Sequence, residues 1–367
     1  MRCNAQRFMS IVSRTAVAAF FALALSGPAV AEEDVPDPRI AAGERERLIG
    51  LFQNQGAEAA PQLAEALDME PAFLGRTAAH LLVRLGPPAI DGIERALRHD
   101  DHHIRGIAIH GLADMGLLLD YWQDIAAEDH PAIRREVEKL YVLDEQLASP
   151  PGFLDGPVLR FNGESAFVEA QERVNVGAGN FTYELWFKPA ELPSDDPFGL
   201  MGKGRGDTVD RRGVNFRYDP EGVLHFRAAN NKDNIRLSHE VGAKGRWLHA
   251  AATVDRQGQA RLYLNGLLVG ETDATGFEDD DGFDAGPFRV GRRPYTDIWH
   301  FRGAAGALRV WQTARTQEEI LDDMRRALTG DEQDLVLCWP MNDGQGDAVR
   351  DQSPRQNHGR IVDGAWE

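Results

Sequence analysis

At about residue 148 the apolar residues of this chain change period, from three-to-four on the N-terminal side to two on the C-terminal side. A period near 3.6 describes one face of a helix and a period of two describes one face of a strand, so one layer cannot use both halves. The turn-rich run Ala148-Ser149-Pro150-Pro151-Gly152 marks the change. Two domains are therefore expected, at 38–147 and 155–367, joined by a linker at 148–154.

Upstream of the boundary the chain repeats itself. The stretch from Leu74-Gly75-Arg76 to Leu85-Gly86 lies over that from Ile104-Arg105-Gly106 to Met115-Gly116, a third copy starts at Ile133-Arg134-Arg135, and 44–56 is a weaker first copy. Leu63 and Leu67 fall on Ile93 and Leu97 at the same offset that carries Leu74 onto Ile104. Each unit supplies two helices whose apolar stripes close only against the next unit, which predicts an α-solenoid. The runs Asp101-His102-His103-Ile104-Arg105 and Asp129-His130-Pro131-Ala132-Ile133-Arg134 resemble the inter-repeat turns of HEAT-like repeats of the phycobilisome-lyase type, over about 38–147. Imidazoles and carboxylates in His99-Asp100-Asp101-His102-His103 could ligate zinc. The next repeat fills the same loop with Glu128-Asp129-His130, where acids suit a coming helix N-terminus, so a structural role is expected. His80 and His110 stand one repeat apart and read the same way.

The segment 1–31 has the pattern of an export leader: Arg2, Arg7 and Arg14 without an acid, an apolar run at 16–25, and Ala29-Val30-Ala31 as a cleavage site. The mature chain is expected to begin at Glu32 and to be periplasmic or extracellular. The apolar run is too short to span a bilayer, and no later stretch approaches the roughly 20 apolar residues required, so no integral membrane segment is expected. Loss of three arginines and no acid takes the formal charge from −18 to −21, which disfavours nucleic acid as a partner. Cys3 leaves with the leader and Cys338 has no second cysteine to pair with.

Downstream, short runs of alternating bulky and polar residues recur at 181–187, 214–218, 223–228, 247–254, 260–264, 267–271, 288–291 and 307–311. Asn265-Gly266 sits between two of them and predicts a type I′ hairpin. Many short strands with tight turns indicate a sandwich or a barrel. The ordered motifs Leu159-Arg160-Phe161-Asn162-Gly163, Gly179-Asn180-Phe181-Thr182-Tyr183-Glu184-Leu185-Trp186-Phe187-Lys188-Pro189, Leu200-Met201-Gly202-Lys203-Gly204, Gly245-Arg246-Trp247-Leu248-His249 and Leu262-Tyr263-Leu264-Asn265-Gly266 resemble the laminin-G-like jelly roll of concanavalin-A-like lectins and glucanases. Phe301 to Trp311 closes the set, and Thr316-Gln317-Glu318-Glu319 is a capping box that starts a helix to about Arg326. The tail, with strand texture at 335–339 and 359–362, resembles a segment that usually precedes the first strand. Here it trails, and it is expected to fold back beside 159–161 with Trp366 buried.

Fold alone does not assign chemistry. A retaining glucanase needs two carboxylates at strand spacing; Glu271-Thr272-Asp273 is the nearest pattern, and its expected place is a turn. No zincin helix, nucleophile elbow or phosphate-binding loop is present, so the chain is not expected to be an enzyme. The resemblance implies a possible Ca²⁺, for which Asn162, Asp279 and Asp281 are the weak candidates; relatives carry acids where this chain has Asn162 and Gly306-Ala307, and Glu278-Asp279-Asp280-Asp281-Gly282 lacks EF-hand spacing. No firm cofactor follows. Arg205-Gly206-Asp207 reads as a chance run in a glycine-rich turn. The segment from Arg292 to His300 carries aromatics beside polar groups, and Tyr295, Asp297, Trp299 and His300 are the candidate ligand-binding residues, because sugars stack on such rings while acids and amides take their hydroxyls. The leading expectation is an exported binding protein whose sandwich recognises a glycan or a protein surface, with the repeats as scaffold. The alternatives are a purely structural assembly factor of the cell envelope and a glycan hydrolase or lyase.

Overall fold

The computed structural model describes residues 38–367 except 119, 144–151, 155, 206–211, 231 and 279–285. The leader, linker residues 148–151, Gly206, Asp207 and the calcium candidates Asp279 and Asp281 lie outside the described residues. The chain divides into two compact units between Leu140 and Tyr141.

The first unit is helical: α1 (Pro38–Gln55), α2 (Ala60–Glu65), α3 (Phe73–Leu85), α4 (Ile90–Leu97), α5 (His102–Asp114), α6 (Trp122–Ala126) and α7 (Pro131–Leu143), whose last turn crosses the boundary. Leu63, Leu67, Ile93 and Leu97, which share repeat positions, are all buried. An arginine-to-acid staple occurs twice. Arg76 Nε donates to Asp101 Oδ2 at 2.9 Å, and Arg105 donates to both Glu128 oxygens at 2.6 and 2.7 Å. Each acid also accepts the backbone N–H two residues on, from His103 and His130, both at 2.8 Å. Asp101 is thus the N-cap of α5, which satisfies an otherwise orphaned helix-start donor.

The second unit is a sandwich of two antiparallel sheets. Its strands are β1 (Leu159–Asn162), β2 (Phe167–Ala170), β3 (Phe181–Pro189), β4 (Phe198–Arg205), β5 (Arg212–Tyr218), β6 (Val223–Ala229), β7 (Asn234–Glu240), β8 (Leu248–Val254), β9 (Gln259–Leu264), β10 (Leu267–Asp273), β11 (Phe288–Val290), β12 (Arg302–Trp311), β13 (Leu335–Trp339), β14 (Ala348–Val349), β15 (Gly359–Val362) and β16 (Ala365–Trp366), with α8 (Gln317–Met324) between β12 and β13. The first sheet runs β10-β9-β8-β3-β12-β1-β16, with β13 also on β12; the second runs β14-β15-β2-β11-β4-β5-β6-β7. Alternate residues of both, among them Phe181, Tyr183, Leu185 and Phe187 from β3 and Val214, Phe216 and Tyr218 from β5, fill one core between them. The hairpin at Asn265 and Gly266 has φ of 54° and 82°, as its turn type demands.

The sandwich departs from the sequence-based reading in several places. Glu271 and Asp273 lie in β10 and not in a turn, because the strand runs on through Asp273 against Gln259. Edge strand β7 carries only Ile235 and Leu237 inward, too weak a pattern to stand out in the sequence. Linker residue Leu154 is buried in the sandwich, where a Cβ on Gly306 would come within 2.8 Å of it.

The tail serves both sheets. β13 pairs with β12 (Leu308 opposite Trp339), β15 with β2 (Ile361 opposite Val168) and β16 with β1 (Leu159 opposite Trp366). The buried Asp351 carboxylate ties these strands together by accepting the backbone N–H of Cys338 (2.9 Å), Ser353 (2.9 Å) and Asn357 (2.8 Å). Trp339 is fully buried, whereas Trp366 is only half-buried, since a two-residue edge strand cannot enclose an indole. Removing 335–367 would leave β12, β2 and β1 with unpaired backbone donors and empty the core space that Trp339 fills. Trp339→Ala is expected to lower stability by about 3–5 kcal/mol in urea melts, and the truncation to aggregate; a monomeric truncation as stable as the full chain would contradict this topology.

Candidate functional site

On the second sheet the core-facing residues alternate with a face turned away from the core. Register places Arg360, Glu169, Arg289, Gly202, Asn215, Arg227 and Arg236 directly across from one another, strand by strand from β15 to β7. The next row contains Gly199, Arg217, His225 and Ser238. Over Gly199 lies the loop from Arg292 to His300. Gly199 N donates to Trp299 O at 2.7 Å, and a Cβ on Gly199 would stand 2.6 Å from the carbonyl carbon of Arg292, so glycine is required for the loop to rest on β4.

The loop brings the four candidate ligand residues into one arrangement with arginines. Trp299 adopts φ of 65°, a left-handed conformation uncommon for a bulky residue. Two guanidinium groups face its ring, Arg293 at 4.5 Å and Arg217 at 5.8 Å from the centre, and Arg293 also faces Tyr295 at 4.4 Å. Asp297, 77% exposed, pairs with Arg292 at 2.9 Å and His300 at 3.3 Å. Arg289 and Arg292 stand over Phe167, and Arg289 holds Glu169 at 2.6 Å. Burial first, then the charge of Arg289, pushes the Arg292 guanidinium below its ordinary value. Five buried polar atoms here have no hydrogen-bond partner: Arg217 Nε, Arg292 Nε, Arg293 Nε, Thr296 Oγ1 and His300 Nδ1. Four of these atoms lie in the loop and Arg217 Nε on β5 beneath it; buried donors without partners are costly, so the loop is held at an energetic cost.

The calcium candidate Asn162 is placed in the turn after β1, where its Oδ1 accepts the backbone N–H of Glu164 (2.8 Å), Ser165 (2.9 Å) and Ala166 (3.0 Å). That carbonyl staples the turn. At Gly306 the space that an acid would need is occupied by Leu154. In the helical unit Asp101, His102 and His103 bring ligand-type atoms within 4.8 Å of one another. Both Asp101 oxygens are already taken, by His103 N and Arg76, and His102 stacks on His130 with ring centres 3.7 Å apart, which fits a structural role at the helix start. Glu271 is exposed and 3.5 Å from Arg261.

Sequence reasoning missed a buried charged cluster on the other sheet. Glu184, His249 and Arg309 are each at most 2% exposed. They lie on the side of the first sheet that faces away from the core, beneath α8. Glu184 accepts from Trp311 Nε1 at 2.9 Å and stands 3.1 Å from His249 Nε2, while Arg309 donates to Asp323 O (2.8 Å) and Arg326 O (2.7 Å) and Trp186 Nε1 to Met324 O (2.8 Å). A buried cation thereby caps the C-terminal carbonyls of α8, whose N-terminus carries the expected capping box at Thr316 and Glu319. The cluster is sealed from solvent and holds the helix down. A cleft of about 680 Å³ beside it is lined by Arg315, Asp322, Asp323, Arg326, Glu332 and neighbours. Arg315 and Arg326 pair there with Asp323, Glu319 and Glu332.

A two-sheet antiparallel sandwich with a loop resting on one open face defines the class of this domain. Within it, residues 162–321 match the family model of the concanavalin A-like lectin/glucanases superfamily; β13 to β16 lie beyond the matched span. No curated protein matches the sequence significantly. Among solved structures, a candidate carbohydrate-binding protein from Bacteroides ovatus is 22% identical, covering 58% of this chain and 59% of its own, with a TM-score of 0.44. A heptameric SAP-like pentraxin from Limulus polyphemus is 16% identical, covering 45% of this chain and 80% of its own, with a TM-score of 0.35. The CBM40 domain of the Ruminococcus gnavus IT-sialidase is 16% identical, covering 40% and 83%, with a TM-score of 0.35.

The buried cluster makes stability depend on pH. Burial alone would push the Glu184 carboxyl up, but His249, Arg309 and Trp311 outweigh it and hold the group at about 2, against 4.5 for a free glutamate. Burial pushes the His249 imidazole below 6.5 despite Glu184. In both cases the unfolded chain binds the proton first, so stability falls as pH drops, from about 6.5 for His249 and from about 4.5 towards 2 for Glu184. Urea midpoints measured between pH 7 and pH 3 should decline, and Glu184→Gln should start lower but decline less steeply below pH 4.5. Identical slopes for the two proteins would contradict this assignment.

Proposed function

We propose that this is an exported, non-catalytic binding protein whose C-terminal sandwich recognises carbohydrate through the Arg292–His300 loop and the open face of the second sheet. The carrying observation is the loop itself: Trp299, held left-handed on Gly199, meets Arg293 and Arg217, and Arg293 in turn faces Tyr295. Sugars present apolar ring faces and hydroxyl edges together, and aromatic rings beside guanidinium and carboxylate groups answer both. The match of residues 162–321 to a lectin/glucanase superfamily model supports the same reading. In this reading the N-terminal helices are HEAT-like repeats, the recurring arginine staples fastening one repeat to the next, and they form a scaffold.

The test is a glycan and polysaccharide binding screen of the mature full chain, recovered from outside the cytoplasm with Glu32 at its N-terminus. Saccharide binding is expected, weakened at least about tenfold, equivalent to about 1.4 kcal/mol, by Trp299→Ala without loss of fold. Binding that survives Trp299→Ala unchanged would remove the loop from the site, and binding confined to a protein partner would favour an assembly role.

A further inference from the structure

The face that carries the loop is charged opposite to the chain as a whole. The protein has 58 acidic against 40 basic residues. Yet the cross-strand row on the second sheet presents Arg360, Arg289, Arg227 and Arg236 against one acid, Glu169. Glu169 is bound by Arg289 at 2.6 Å and Arg360 at 3.8 Å. Arg217 on β5 and Arg292 and Arg293 in the loop extend the cationic surface, against one further acid, Asp297, which Arg292 holds at 2.9 Å. All are arginines, whose planar forks take carboxylate and sulfate oxygens two at a time. Neighbouring strands stand about 4.8 Å apart, so six strand-to-strand steps from Arg360 to Arg236 span about 29 Å. That is the length of several sugar residues, with Gly202 and Asn215 at its centre.

Resting on the carbohydrate reading above, we infer that the ligand is an anionic polysaccharide, carrying carboxylate or sulfate groups, laid across the strands of the second sheet. Its acid groups pair with Arg236, Arg227 and Arg217, and the portion over the loop lies against Trp299 and Tyr295. The aromatic rings then position the sugar and the arginines select for charge. An extended nucleic acid is disfavoured by the negative charge of the rest of the chain.

Binding of the full chain to dextran sulfate, dextran, polygalacturonate, uncharged galactan and duplex DNA distinguishes the possibilities. Retention of dextran sulfate, polygalacturonate or both is expected, with dextran and galactan bound at least about tenfold more weakly and affinity falling as salt rises. The dextran sulfate and polygalacturonate arms separate sulfate from carboxylate recognition. Arg217→Ala and Arg236→Ala combined should lower that affinity about tenfold or more, and Arg236→Lys should restore only part of the loss due to Arg236→Ala. Arg261→Ala, a charge change on the other sheet equal to that of Arg236→Ala alone, should leave it unaltered. Preference for an uncharged polymer, lost with Trp299→Ala, would overturn this inference and leave the carbohydrate reading standing. Duplex DNA held more tightly than either anionic polysaccharide, or equal effects of Arg261→Ala and the double substitution, would overturn it too. If none of these polymers binds and the glycan screen is also empty, both readings fall together.

Discussion

Strand β12 is the member on which the sandwich depends. It pairs along one edge with β3 and along the other with β1 and then β13, so that one ten-residue segment joins the start, middle and tail of the domain. Its two faces do different work. Ala305, Leu308 and Val310 enter the core between the sheets, while Arg309 on the opposite side binds the end of α8. Burying a guanidinium there requires compensation, which Glu184 and the helix carbonyls provide; a buried polar layer thus joins the first sheet to α8.

While α8 covers Glu184, His249 and Arg309 on the first sheet, the arginine row stands on the outer face of the second. The loop after β11 lies on that face, fixed by the absence of a side chain at Gly199 and by the hydrogen bond to Trp299 O. Rigid strands aim the arginines and a pinned loop aims the aromatics, the division of labour expected of a binding site built on a sandwich.

What could be read in the sequence was local. The Asn265-Gly266 hairpin, the Thr316 capping box and the strands at 335–339 and 359–362 announce themselves through residues a few positions apart. The aromatic and polar texture of the loop was visible for the same reason. Glu184 looked like the solvent-facing member of an alternating strand, because the helix that buries it lies far along the chain, with Trp186 bonding Met324 across 138 positions. The arginine row was equally hidden, since Glu169, Arg289 and Arg360 become neighbours only through strand order. Asn162 is a candidate oxygen ligand through the family resemblance alone; the turn geometry reveals three N–H donors already on its carbonyl.

The account centres on one claim, that ligand binds where the loop meets the open face of the second sheet. Amide hydrogen exchange of the full chain, with and without a bound polysaccharide, tests that claim most directly, because it maps the contact without altering any residue. Protection is predicted in β5, β6 and β7 and in residues 292–300. Protection confined to the cleft beside α8, or to the N-terminal helices, would contradict it.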